Sequence, residues 1–289
     1  MFILGCFSRT KSQNLVKNPS FEQYIICPGI APPSSNNVPG WTSFYNYGDV
    51  SIYNICSSSY HSVPGNNSCN FQFPKTGQGY CDIIVYNTMT SQNTRSYIQG
   101  NFNIPLKKDS VYCVSFWTNL VNGNEFATKN IGAYINDTLL GFNNGNGRVL
   151  VGFTPQITSN IYLSDTLNWQ IVNGLYKAHG GEQHITIGNF LSDIASSVIN
   201  TGNNTCVNTG NFVYYFIDDV SVSPFTLLPP KLGNDTTVCQ NQLPLLLTAP
   251  LGYDSIKWST GATTQTINAM QAGTYWVKCT SNGCGSLTD

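Results

Sequence analysis

The chain has 289 residues, of which 9% are charged, 41% hydrophobic and 12% aromatic, with a formal net charge of −1. That apolar content is enough for a sizeable core and excludes an intrinsically disordered chain. The absence of any Lys/Arg cluster argues against nucleic acid or an anionic membrane as partner.

Residues 1–13, "MFILGCFSRTKSQ", open apolar and turn polar at Arg9 and Lys11. The run is too short for a complete secretory leader and is read as the remnant of a signal peptide. Cys6 in "ILGC" also fits a lipoprotein cleavage box. No other stretch approaches the roughly 18 apolar residues of a membrane span.

Downstream, apolar residues alternate with polar ones in "VSIYNI" (50–55), "CDIIVYN" (81–87), "RSYIQGNFNI" (95–104), "SVYCVSFWTNL" (110–120), "NIGAYIND" (130–137), "LNWQIVNGLYKA" (167–178), "QHITIGNF" (183–190) and "FVYYFIDDVSV" (212–222). Gly, Pro and Asn interrupt the chain too often for long helices, so these runs predict the strands of an all-β sandwich. "PFTLLPPK" (224–231) reads as a stiff linker, centred on 227–231. Beyond it, residues 232–289 form a second strand series in which Cys239, Trp258 and Cys279 follow an immunoglobulin-like order. Its last stretch, "GCGSLTD", stops where a further edge strand is expected, so this second domain is read as truncated.

Ten cysteines without a single C-x-x-C pair point to disulfides and an oxidising compartment. The candidates are Cys27, Cys56, Cys69, Cys81, Cys113, Cys206, Cys239, Cys279 and Cys284, with the connectivity left open.

Catalytic constellations are scarce. "AHGGEQH" (178–184) offers His179, Glu182 and His184, but its Gly pair forbids the helical spacing of a zinc protease and marks a turn before a strand. Only Glu22, Glu125 and Glu182 represent glutamate. There is no G-x-S-x-G elbow and no phosphate-binding Gly loop. The chain is read as a non-enzyme.

Two adjacent aspartates, Asp218 and Asp219, stand inside the apolar run "YYFIDDVSV". Strict alternation puts Asp218 with Tyr214, Phe216, Val220 and Val222, and Asp219 on the opposite face. An inward Asp218 needs either a hard cation or loop amides to offset its burial. A second candidate function is sugar stacking on sheet aromatics, for which Trp41, Tyr45, Tyr47, Tyr86, Tyr97 and Trp117 are the candidate ligand-binding residues.

"NLVKNPSFEQY", "VPGW" and the closing "YYFIDDVSV" resemble the first and last strands of galactose-binding-like jelly rolls, of which family-4-type carbohydrate-binding modules are the best-known examples. With "RSYIQGNFNIPL" and "GGEQHITIGNF" between them, residues 14–224 are similar to secreted surface proteins of gliding, type IX-secreting bacteria. Residues 232–289 resemble the Ig-like or PKD-like repeats of such proteins. The resemblance implies a jelly-roll β-sandwich over 14–226 and a smaller Ig-like β-sandwich over 232–289. It also implies a structural Ca²⁺ between Glu22 and the Asp218–Asp219 pair, and a secreted or cell-surface location. The function expected is non-catalytic binding or adhesion, with a glycan or another surface protein as partner. A spacer displaying a further domain, or an ancillary module of a polysaccharide-degrading enzyme, are the alternatives.

Overall fold

The structure is a computed structural model, and it describes residues 13–27, 37–43, 50–58, 61–65, 71–89, 93–141, 149–150, 152–203, 211–225, 232–234, 236–251, 253, 255–281 and 284–288. The chain divides into two compact units, Asn14–Ser223 and a second that takes in Pro224–Asp289.

In the first unit the alternating runs become β1 (Trp41–Ser43), β2 (Ile52–Asn54), β3 (Gly79–Asn87), β4 (Ile98–Asn101), β5 (Val111–Leu120), β6 (Phe126–Thr128), β7 (Ile131–Asn136), β8 (Ile157–Thr158), β9 (Gln170–Lys177), β10 (His184–Asn189), β11 (Val198–Asn200) and β12 (Phe212–Pro224). They build two five-stranded sheets, ordered β1-β4-β10-β7-β8 and β2-β3-β12-β5-β9, and a small β11-β6 pair. Among the described residues the strand pairings are antiparallel, and the out-of-order neighbours mean that successive strands cross between sheets. Trp41, Ile98, Ala133 and Ile185 from the first sheet share one core with Ile83, Val114, Phe116, Val172 and Ile217 from the second. Two sheets closed over one core make a β-sandwich, as the sequence pattern requires.

The second unit carries β13 (Leu245–Thr248), β14 (Ser255–Trp258), β15 (Thr266–Ala269), β16 (Val277–Ser281) and β17 (Gly285–Thr288). They form a β13-β15 pair and a β14-β16-β17 sheet. Within "GCGSLTD", Gly285–Thr288 forms β17, paired with β16. Trp258, Val277 and Cys279 pack together in its core.

Cys27 and Cys56 form a disulfide, and Cys113 and Cys284 each take part in a disulfide. Three expected bridging cysteines instead carry free thiols: Cys81 and Cys279, both buried, and Cys239, which is exposed. Cys81 faces Ile52 and Ile217 across its neighbouring strands, so no cysteine lies opposite it. The Cys239–Cys279 bridge of an immunoglobulin-like core is thus not made. Cys6, Cys69, Cys206 and the 227–231 linker lie outside the described residues.

Candidate functional site

The outer face of the β2-β3-β12-β5-β9 sheet carries a second, aromatic cluster. Tyr53, Tyr80, Val121 and Phe216 are buried there, with Trp169 and Tyr214 packed against them. Tyr53 stacks on Tyr80 at 5.0 Å, and Tyr80 meets Phe216 and Trp169 edge-on at 4.7 and 5.9 Å. Face-and-edge contacts of this kind fix the rings relative to one another.

Over this cluster runs the loop Phe71–Gln78. It belongs to no strand, so its conformation depends on groups that reach it from elsewhere. Tyr80 donates its hydroxyl to the Gln72 carbonyl at 3.1 Å, and Trp169 Nε1 donates to the Phe73 carbonyl at 2.9 Å. Asp218 Oδ2 accepts from the Lys75 and Thr76 amides at 2.8 and 3.4 Å, and the Thr76 hydroxyl donates to Asp219 Oδ1 at 2.6 Å. At the far end, Glu22 Oε1 accepts from the Gln78 and Gly79 amides at 2.8 and 3.0 Å. The Glu22 carboxylate lies so close to Gly77 that a Cβ there would sit 2.3 Å from Oε1.

Asp218 is fully buried, but not for the reason alternation supplies. Ile217 and Val220 both belong to the main core, whereas Phe216 lies in the aromatic cluster of the outer face. The register shifts because Asp219 adopts a left-handed backbone, φ 49°, which lets Val220 return to the core. Asp218 therefore shares the outer face with Phe216, roofed by the loop it holds. Burial, and then the neighbouring Asp219 charge, pushes its carboxyl up to about 8, opposed by the amide bonds it accepts. On the adjacent strand Asp82 stands opposite Phe216. It accepts from the Ser51 amide at 2.7 Å and the Tyr53 hydroxyl at 3.1 Å, and burial raises its carboxyl to about 6.

The held loop displays two rings. Phe71 is 48% and Phe73 57% exposed, set edge-to-face at 5.5 Å, and Leu167 is 76% exposed. The buried Gln72 between the two rings donates Nε2 to the Leu167 carbonyl at 3.4 Å, which ties the loop to the β9 approach. Lys75 Nζ lies 4.0 Å from the centroid of half-buried Trp117 on β5. The result is an apolar ledge on a fixed backbone, with the exposed Asn168 beside Leu167.

Of the residues expected to stack on sugar, three are enclosed. Trp41 is 2%, Tyr97 1% and Tyr86 8% exposed. Trp41 packs on Phe21 at 4.7 Å and donates Nε1 to the Asn18 carbonyl at 2.8 Å. Tyr97 lies over Gly188, where a Cβ would be 2.3 Å from its ring, and donates to the Asn189 carbonyl at 2.7 Å. None of these rings offers a free face, so they are corrected to core residues. Trp117 keeps partial exposure, and Tyr45 and Tyr47 lie outside the described residues. Phe71, Phe73 and Leu167 were not anticipated. Their only sequence signal is the alternating "FQFPK", an apolar pair ahead of a proline.

The carboxylates expected to hold calcium grip opposite ends of the same loop. Among the described residues no three His, Cys, Asp or Glu side chains converge as a metal site. The oxygen-only chemistry of Asp218 and Asp219 suits a hard cation. Among the described residues no ion pair reaches Asp218, and the Lys75 ammonium lies over Trp117. The fit thus lies with the aspartate pair, while Glu22 serves the loop amides. His179, Glu182 and His184 do not form a metal site either. Glu182 accepts from the Tyr176 hydroxyl and the His179 and Gly180 amides at 2.6, 2.6 and 2.9 Å, which makes it the cap of a turn.

No family model and no curated protein matches this chain. Among solved structures, it is similar to the CBM22-1 xylan-binding domain of Xyn10C from Paenibacillus barcinonensis, at 14% identity over 73% of this chain and 94% of that one, TM-score 0.36. The K1 cleaved adhesin domain of Lys-gingipain from Porphyromonas gingivalis W83 matches at 13% identity over 74% and 99%, TM-score 0.37. TmCBM61 in complex with β-1,4-galactotriose matches at 16% over 74% and 100%, TM-score 0.33. Likeness at this level says nothing of ligand, which has to be argued from the side chains.

Proposed function

We propose that this chain is a non-catalytic, extracellular binding protein whose Phe71–Phe73 ledge takes a glycan. The observation that carries this reading is the ledge itself. Two half-exposed phenyl rings are presented on a backbone pinned by Trp169 and Tyr80, so ligand contact costs little ordering of the protein. The apolar C–H face of a pyranose suits such rings, while exposed Asn168, Thr76 and Gln78 offer hydrogen-bonding groups alongside. The Cys27–Cys56 disulfide supports export to an oxidising compartment. A catalytic role for the raised carboxyls of Asp82 and Asp218 is opposed by their burial, since neither reaches a substrate.

Asp218 and Asp219 would hold a Ca²⁺, which when bound supplies positive charge to a buried carboxylate that has no ion pair among the described residues. The two aspartates, with the Thr76 hydroxyl on Asp219, orient that end of the loop.

The test is affinity gel electrophoresis against soluble xylan, β-1,4-galactan, mannan and mixed-linkage glucan. Retardation by at least one of them, lost in Phe71→Ala/Phe73→Ala, supports the reading. No retardation by any, with a normally folded protein, sinks it.

A further inference from the structure

Resting on the ledge as the ligand-binding surface, we infer that Asp218 and Glu22 are its positioning residues: they set ligand affinity by holding the loop backbone, without touching ligand. The Phe71–Gln78 loop has no strand partner of its own. Its amides at Lys75, Thr76 and Gln78 and the following Gly79 amide all end on these two carboxylates, at 2.8, 3.4, 2.8 and 3.0 Å. Between the carboxylates and the rings stands Pro74, which has no amide to donate and a fixed φ. The angle of the Phe73 ring therefore follows from where the Lys75 amide is held. The same hold aims the Lys75 side chain, whose ammonium covers Trp117.

The two carboxylates differ in a way that makes the inference testable. Asp218 accepts on both oxygens, Oδ2 from the loop and Oδ1 from the Asp219 amide at 2.7 Å. An asparagine has one acceptor oxygen, so it must forfeit one of these bonds and face an N–H with its own NH₂. Glu22 accepts both of its loop amides on Oε1 alone, and among the described residues Oε2 has no hydrogen-bond partner. A glutamine keeps that Oε1 and places its NH₂ where Oε2 stood. Glu22→Gln should thus preserve the hold, and Glu22→Ala should release it.

The experiment uses the full chain, with hydrogen exchange of the 71–79 peptide and electrophoretic affinity for the polysaccharide panel measured on the same samples. Losing two amide bonds from one carboxylate is expected to speed exchange at Lys75 to Gly79, and at Phe73, by about tenfold. Affinity in Glu22→Ala should fall by a similar factor, about tenfold. Glu22→Gln should stay within about twofold of wild type in both readouts, whereas Glu22→Met, which fills similar space without an acceptor oxygen, should behave like Glu22→Ala. Asp218→Asn should behave like Glu22→Ala; if it fails to fold, the Glu22 pair decides alone. Faster exchange confined to Gln78 and Gly79, unchanged affinity in Glu22→Ala, or a Glu22→Gln as weak as Glu22→Ala would each overturn the inference. A wild-type chain that binds no polysaccharide overturns the glycan reading, and the exchange at Phe73 then decides the positioning claim by itself.

Discussion

Glu22, in the segment before β1, and Asp218, on β12, hold opposite ends of one loop: Glu22 Oε1 takes the Gln78 amide at 2.8 Å and Asp218 Oδ2 the Lys75 amide at 2.8 Å. Between them Gly77 turns with φ +66°, where a Cβ would lie 2.3 Å from Glu22 Oε1. Gly77→Ala must either strain the left-handed backbone or push the carboxylate off its amides. The cost expected is about 1–3 kcal/mol, read as a lower midpoint in urea at unchanged slope.

Asp82 gives the stability an unusual pH dependence. Burial raises its folded carboxyl to about 6 from an ordinary 3.8. Between those values the folded state holds more proton than the unfolded chain, so stability is greatest at the acid end and falls as pH rises to about 6. The loss amounts to about 3 kcal/mol, and then levels off for this group. Asp218, raised to about 8, prolongs the fall toward pH 8 in metal-free buffer. Urea unfolding of Asp82→Asn from pH 4 to 8 should show the fall below pH 6 about halved, since Asp218 still contributes there, and the fall from pH 6 to 8 kept. A slope identical to wild type below pH 6 would contradict this.

How much of this was legible in the sequence differs by residue. The strands carrying Val114, Phe116, Tyr215 and Ile217 were readable from their period of two, but the inward face was not: the set of Tyr214 and Phe216 was expected toward the core, and Tyr215 and Ile217 are found there. The shift at Asp219 was not, since nothing in "IDDV" announces a left-handed backbone at a non-glycine residue. Burial of Asp218 was expected and is found, though on the other face. Trp41 and Tyr97 look like ligand platforms in sequence because exposure depends on what packs over each face, here Phe21 on one and the backbone of Gly188 on the other. The ledge has no local signal beyond an apolar pair ahead of a proline. "FQFPK" takes its shape from Trp169, Tyr80 and Asp218, all distant along the chain.

The turn Leu191–Ser196 is pinned by a fully buried ion pair, Arg95 Nη1 to Asp193 Oδ1 at 2.6 Å. Asp193 also accepts the Asn87 and Asn93 amides at 3.2 and 2.8 Å. Asp193→Ala leaves the Arg95 guanidinium buried without its counter-charge and should cost about 3–5 kcal/mol by denaturant unfolding. Adding Arg95→Met should recover a substantial part of that loss, because the stranded charge goes with it. No recovery would mean that the amide bonds, not the ion pair, hold the turn.

Calcium offers a way to separate the two carboxylate roles. If the aspartate pair takes the cation, Ca²⁺ at tenfold its dissociation constant should add about 1.4 kcal/mol and raise Tm, reversibly with EDTA. Asp219→Asn should abolish that increment and Glu22→Gln should keep it. Loss of the increment in Glu22→Gln would place Glu22 among the cation's ligands instead.

The most direct test of the account is isothermal titration of the polysaccharide that retards the wild-type chain in gels, repeated on Phe71→Ala and Phe73→Ala. Each substitution should weaken binding about tenfold or more, near 1.4 kcal/mol, while an exposed-ring truncation leaves stability within about 0.5 kcal/mol. Binding that is unchanged in both variants would contradict the account.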